Sequence, residues 1–123
     1  MAERRFQDLI AWQTGDQFKA EVFRLVLGSP AACRDFRFKS QILDAAAGVP
    51  KNIVEGFLRF SPREFRRFLD YALGSLGEAE ERLKDAIQLG YVAGPDCAAA
   101  FKLARRCLTA TVRLKQSQSR FLS

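Results

Sequence analysis

Phe38, Ile42, Ala45, Val49, Ile53, Gly56 and Phe60 recur at intervals of 4-3-4-4-3-4 residues. Such intervals place side chains on one face of an α-helix, whereas a strand would scatter them over both faces. A chain with this stripe must bury it against other helices. The stripe runs straight through Pro50, although a helix-interior proline removes one backbone hydrogen bond and crowds the carbonyl four residues earlier. The spacing predicts one long helix over about residues 35–60, kinked at Pro50, with Asp35 as its cap. Two helices meeting at Pro50 stay open as the alternative, because proline ends helices more often than it bends them.

The rest of the chain reads the same way, without sustained two-residue alternation. A first helix over about 6–28 carries Leu9, Ile10, Phe18, Val22, Leu25 and Val26, and Gly28-Ser29-Pro30 ends it. Ser61-Pro62-Arg63-Glu64 is a capping box with proline at the first helical position. The helix behind it, over about 62–89, carries Phe65, Phe68, Leu69, Ala72, Leu76, Ala79, Leu83, Ala86 and Ile87, and Gly90 closes it. Gly94-Pro95-Asp96 opens a fourth helix over about 95–118. Long helices joined by short connections predict an all-α fold, an up-down-up-down antiparallel four-helix bundle in a single domain over 1–123. The fourth helix has one apolar seam at 97, 100, 104, 107, 111 and 114 and a second at 101, 108 and 112. The second seam predicts burial against another subunit or a broad core contact, and Phe6 and Trp12 raise the same question. Phe121-Leu122-Ser123 reads as a frayed or docked tail.

Composition removes several chemistries. There is no histidine, the commonest general base and transition-metal ligand. The cysteines Cys33, Cys97 and Cys107 lack paired metal-ligand spacing, and the last two fall among alanines and leucines, where a thiol serves as a small apolar filler. No apolar run approaches the roughly 20 residues that span a bilayer, and Met1-Ala2-Glu3-Arg4-Arg5-Phe6 lacks the apolar stretch of a secretory signal. The expectation is a cytoplasmic protein with no catalytic residues, metal site, cofactor or membrane contact.

Charge is unevenly placed. Residues 1–96 hold 14 Lys/Arg and 14 Asp/Glu, so the net charge of +6 belongs to residues 97–123, which have six basic residues and no acid. Lys102, Arg105, Arg106, Thr109, Arg113, Gln116 and Arg120 share one face of the fourth helix. An ordinary solvated face mixes both signs, so this face is a candidate for RNA or DNA, held through phosphates and without sequence reading. Arg59, Arg63, Arg66 and Arg67 cluster at the turn before the third helix, interleaved with Phe57, Phe60 and Phe65. They suit stacking and charge on RNA, or pairing with Glu64 and Asp70 that packs the turn. Glu78, Glu80, Glu81 and Asp85, mixed with Arg82 and Lys84, read as a solvated face of i,i+4 pairs. A neighbouring subunit's basic helix is an alternative partner for these acids.

Around the proline, Asn52, Glu55 and Arg59 fall on one side of the second helix, and Ser75 lies mid-way along the third between Gly74 and Gly77, where small residues permit close helix approach. Pro50 leaves the carbonyl of Ala46 without its donor. The expected role of Asn52, Glu55 and Ser75 is a structural polar network around the kink. The sharper alternative is a pocket with Glu55 as acid or base, but one carboxylate without nucleophile, metal set or histidine is a thin catalytic constellation.

Six segments carry a family resemblance: Phe6-Gln7-Asp8-Leu9-Ile10-Ala11-Trp12-Gln13; Ser40-Gln41-Ile42; Val49-Pro50-Lys51-Asn52-Ile53-Val54-Glu55-Gly56; Phe65-Arg66-Arg67-Phe68-Leu69; Ala72-Leu73-Gly74-Ser75-Leu76-Gly77-Glu78; and Leu89-Gly90-Tyr91. In these the chain resembles the bacterial four helix bundle protein family. That family includes proteins encoded by intervening sequences of 23S ribosomal RNA genes and is related to the accessory variability proteins of diversity-generating retroelements. The resemblance implies a four-helix bundle and a ring-shaped homopentamer. For the retroelement members it implies binding to nucleic acid and to a reverse transcriptase. The chain departs from the pattern at Asp44, where the family usually has arginine, and at Cys33, near a usual glutamate in a loop one residue longer. The first departure puts any basic surface on that part of the second helix in doubt. The expectation is a non-enzymatic, oligomeric binding or scaffold protein that contacts RNA or DNA through the fourth helix. The alternative is a protein-interaction module that docks a partner enzyme such as a reverse transcriptase.

Overall fold

The computed structural model describes residues 5–120, and every regular element among them is helical. A single 3-10 turn, Phe6–Asp8, precedes α1 (Ile10–Leu27); α2 (Pro30–Arg34), α3 (Phe36–Phe57), α4 (Pro62–Gln88) and α5 (Ala98–Ser119) follow, the last behind a second 3-10 turn, Gly94–Cys97. Four of the five α-helices are long. The predicted tail at 121–123 lies outside the described residues.

The caps explain where helices begin. The Asp35 carboxylate accepts the Phe38 amide at 3.2 Å, starting α3 where the sequence places it. The Ser61 hydroxyl accepts the Glu64 amide at 3.3 Å. The Glu64 carboxylate turns outward to Arg67 at 3.1 Å, so only half of the expected capping box forms. The Ser29 hydroxyl accepts the Ala32 amide at 3.2 Å with Pro30 at the first helical position. Ser29-Pro30 therefore starts the short α2 as well as ending α1, which the sequence reading treated as loop.

Three expectations need correction. The predicted helix over 6–28 is broken at Leu9, whose backbone is extended (φ −76°, ψ 126°) and whose side chain is buried. The break lets the Phe6 ring meet the Trp12 edge at 5.2 Å, while Gln13 donates to the Gln7 carbonyl at 2.8 Å. The predicted helix over 35–60 stops three residues early, at Phe57. Ser61 must be extended both as a cap and as the residue before a proline, so the chain has to turn within 58–60. It does so by placing Phe60 in the left-handed region (φ 54°), at a cost of about 1 kcal/mol for a non-glycine residue. Phe60 consequently leaves the buried stripe and is 86% exposed. The fourth helix also starts later than expected, at Ala98.

Pro50 lies inside α3, which continues unbroken on both sides of it, and Phe38, Ile42, Ala45, Val49, Ile53 and Gly56 are all buried. α4 ends in a Schellman motif: the Tyr91 amide donates to the Ala86 carbonyl at 2.9 Å and the Gly90 amide to the Ile87 carbonyl at 3.1 Å. This needs the left-handed conformation that Gly90 adopts (φ 75°). The Tyr91 hydroxyl then donates to the Asp35 carboxylate at 2.7 Å, tying the end of α4 to the start of α3.

α1 packs on α3 and α5, and α4 packs on the same two helices. The shared core takes Phe18, Val22 and Val26 from α1, Ile42, Val49 and Ile53 from α3, and Leu69, Leu76 and Leu83 from α4. The fully buried residues of α5 are all small, Ala100, Ala104, Cys107 and Thr111, with Phe101, Leu103 and Leu114 packed half-buried beside them. Cys97 and Cys107 are fully buried, as their apolar surroundings predict, and burial pushes both thiols up. Of the second seam of α5, Phe101 and Val112 are half-buried and Leu108 remains 45% exposed.

Candidate nucleic-acid interface

α5 is built so that its charge points away from the core. At about 100° per residue its buried alanines, Cys107 and Thr111 occupy one side. Lys102, Arg105, Arg106, Thr109, Arg113, Gln116 and Arg120 lie opposite and are all exposed. The helix contains no Asp or Glu. Lys115, on the flank towards α4, is held by Asp70 at 2.6 Å and is withdrawn from the face. Glu80 of α4, half-buried, lies within electrostatic reach of Arg105. Burial pushes its carboxyl up, and Lys84 and Arg105 pull it back. Lys102, Arg105, Arg106 and Arg113 form no ion pair among the described residues. These four can therefore offer guanidinium and ammonium groups to phosphates without first breaking internal pairs.

The turn arginines divide. Arg59 pairs with Glu55 at 3.0 Å and lies 4.9 Å from the Phe68 ring centroid. Arg67 pairs with Glu64 and covers both Phe68, at 5.4 Å, and Tyr71, at 5.8 Å. Arg66 reaches across to α5 and donates to the Ser119 hydroxyl at 2.6 Å. Those three pack the turn, close to the structural alternative read from the sequence, although their partners are Glu55 and Ser119 as well as Glu64. Only Arg63 stands exposed without an acid partner among the described residues. The paired arginines are not lost to a ligand. Exposed pairs of this kind contribute about 0–1 kcal/mol, which a phosphate can replace.

The polar network around Pro50 is smaller than expected. Asn52 donates to the Gly48 carbonyl at 2.8 Å. A Cβ on Gly48 would lie 2.6 Å from the Ser75 hydroxyl, so Asn52 and Ser75 do converge on one turn of α3. Glu55 is exposed and faces Arg59 instead, because it lies three residues beyond Asn52 on the solvent edge of the helix. The close helix approach belongs to Gly48 of α3, not to Gly74 and Gly77, beside which a Cβ would meet nothing within 4 Å. The acidic run of α4 forms the expected local pairs, Glu78 with Arg82 at 3.7 Å and Glu81 with Lys84 at 3.9 Å.

Sequence reasoning missed two features of this region. Ser119 holds Arg66 from the far end of the chain, and no local pattern signals such a contact. Tyr71 is 48% exposed beneath Arg67; its position three residues after Phe68 is the signal that would have placed the two rings together, 5.4 Å apart.

No described helix is long and apolar enough to cross a membrane. A search of curated proteins finds no match to the chain. The family model of the 23S rRNA-intervening sequence protein, by contrast, matches residues 7–113, which takes in α1 to α4 whole and most of α5. The chain belongs to the 23S rRNA-intervening sequence protein family.

Proposed function

We propose that the chain is a non-enzymatic, cytoplasmic binding or scaffold protein that holds RNA or DNA through phosphate contacts to α5. In this reading the four long helices form one antiparallel bundle bent at Pro50, and copies assemble into a ring, a pentamer by the family resemblance. The observation that carries the nucleic-acid reading is the face of α5 opposite the core. It holds Lys102, Arg105, Arg106, Arg113 and Arg120 and no acid. Exposed Arg63 and the exchangeable pairs of Arg59 and Arg67, with Arg66 beneath them, extend it at one end. Phosphate contacts of this kind position a nucleic acid without reading its sequence.

Five cations engaging five phosphates give a log K against log[salt] slope of about −4.5 on duplex DNA. Titrating one labelled duplex at several salt concentrations measures it, with Arg106→Glu/Arg113→Glu as the comparison. The double variant should bind weakly and lose about two units of slope. Binding that ignores salt, or an unchanged double variant, would overturn the reading.

A second reading, docking of a partner enzyme such as a reverse transcriptase, is favoured by a different observation. Leu27, Phe36 and Leu89 are more than half exposed where α1 ends, α3 begins and α4 ends. Phe36→Ser/Leu89→Ser should then abolish capture of that partner and leave the salt series unchanged.

A further inference from the structure

The turn between α3 and α4 presents an aromatic ring that the fold does not use. Phe60 is the residue just before the Ser61 cap, the position from which an apolar side chain ordinarily packs back onto the fourth residue of the helix. Here that residue is Phe65, and its ring is taken by Phe57 at 6.1 Å. Phe60 instead points into solvent at 86% exposure, with no ring or cation partner among the described residues. Its backbone is also left-handed (φ 54°), a conformation that favours glycine. A large apolar side chain held in a strained conformation gains nothing from the chain it belongs to. The turn before Ser61 holds that backbone in place, and strained positions of this kind cluster where ligands are held.

The surroundings indicate what that something is. The arginines beside Phe60 in sequence are Arg59 and Arg63, the first in an exposed exchangeable pair and the second without an acid partner. An apolar protein partner would leave these guanidinium groups facing an apolar surface, and a duplex hides the faces of its bases within the stack. An unpaired base has an open face for the ring and a phosphate on each side for the arginines. We propose that Phe60 is a stacking platform for single-stranded nucleic acid, with Arg59 and Arg63 gripping the phosphates that flank the stacked base.

The proposal rests on the nucleic-acid reading of α5 and adds a preference to it: the α5 stripe holds any phosphate backbone, and the turn selects unpaired strands. The test measures binding of a labelled 20-nucleotide oligo(U) and of a duplex of equal length at one salt concentration. The proteins are wild type, Phe60→Ala, Phe60→Trp and Arg106→Glu/Arg113→Glu, each with its mass determined by light scattering. Phe60→Ala should weaken oligo(U) binding by about fivefold or more, leave duplex binding within about twofold, and keep its mass; Phe60→Trp should bind oligo(U) as well as wild type. The tryptophan at 60 should also be quenched by oligo(U) beyond any change seen in wild type, a signal that needs the base against the ring. Equal losses on both nucleic acids, no loss on either, or a change of mass in Phe60→Ala would each overturn the proposal, the last by making Phe60 a contact between copies. If Arg106→Glu/Arg113→Glu binds normally while Phe60→Ala loses oligo(U), the α5 reading falls and this one stands. If the double variant fails on both nucleic acids and Phe60→Ala on neither, the reverse holds.

Discussion

Gly74 and Gly77 should be replaceable by alanine with a gain in stability. Both lie in the interior of α4, are exposed, and have nothing within 4 Å of the position a Cβ would take. A mid-helix glycine costs about 0.8–1.0 kcal/mol relative to alanine, part of it through the freedom the unfolded chain keeps. The double variant Gly74→Ala/Gly77→Ala should therefore be more stable by roughly 1.5–2 kcal/mol, because neither new methyl meets a neighbour whose adjustment could couple the two. For a chain of this length that is a rise in Tm of roughly 5 °C or more. Urea unfolding followed by circular dichroism, at two protein concentrations a hundredfold apart, is the assay. Gly56→Ala is the counterpart. There a Cβ would lie 2.7 Å from the Phe68 Cβ and 2.9 Å from the Phe65 ring, atoms too near the α4 backbone to swing away. Overpacking should cost about 1–3 kcal/mol, more than the propensity gain at a helix end. If the α4 pair destabilises the protein, another surface occupies those two sites, and the reasoning from the single chain is wrong. A loss that grows with protein concentration would place a second copy there.

Other outcomes follow from individual contacts. Glu55→Gln should change stability by less than about 0.5 kcal/mol in urea unfolding, since its only partner among the described residues is the exposed Arg59. A loss several times larger would return Glu55 to the network around Pro50. The Tyr91 hydroxyl, and next the Phe38 amide, hold the Asp35 carboxyl below its ordinary value. A depressed carboxylate contributes stability that is present above its unfolded pKa and lost as pH falls through the folded one. The stability gap between wild type and Tyr91→Phe should thus be constant near neutrality and narrow in acid, below the ordinary carboxylate range; a gap that widened there would refute the assignment. Native protein should show one rapidly alkylated thiol, Cys33, while Cys97 and Cys107 react only as the fold opens. Two or three fast thiols would contradict their burial.

Most of the helical framework was legible in the sequence because it rests on local causes. The stripe of α3, the Ser61-Pro62 start and Gly90 each act within one or two helical turns, and the structure places them where the pattern does. Phe60 shows where that logic fails. Its spacing continues the stripe, but the extended backbone demanded by Ser61 and Pro62 ends the helix first, so a downstream constraint overrides an upstream period. Glu55 fails differently: Asn52, three residues earlier, reaches the turn of α3 that Ser75 approaches, yet those three residues of helix rotate Glu55 out to Arg59. The basic face of α5 was readable because every acid is missing from it. The pairing of Arg66 with Ser119 joins residues 53 apart in sequence and has no local trace.

The small side chains on the inner face of α5 have a dynamic consequence. Ala100, Ala104, Cys107 and Thr111 surrender far less apolar contact on detachment than the buried phenylalanines and leucines of α4 would, and the larger Phe101, Leu103 and Leu114 are only half-buried. Like charges at Lys102 and Arg106, one turn apart, further favour release. α5 should therefore open more often than the other long helices, with amide hydrogen exchange fastest along it and labelling of Cys107 reporting the same event. A bound polyanion would cancel that repulsion and couple occupancy to helix closure, so that exchange along α5 slows in proportion to ligand. The weakest-anchored helix is thus also the one whose order a ligand can set.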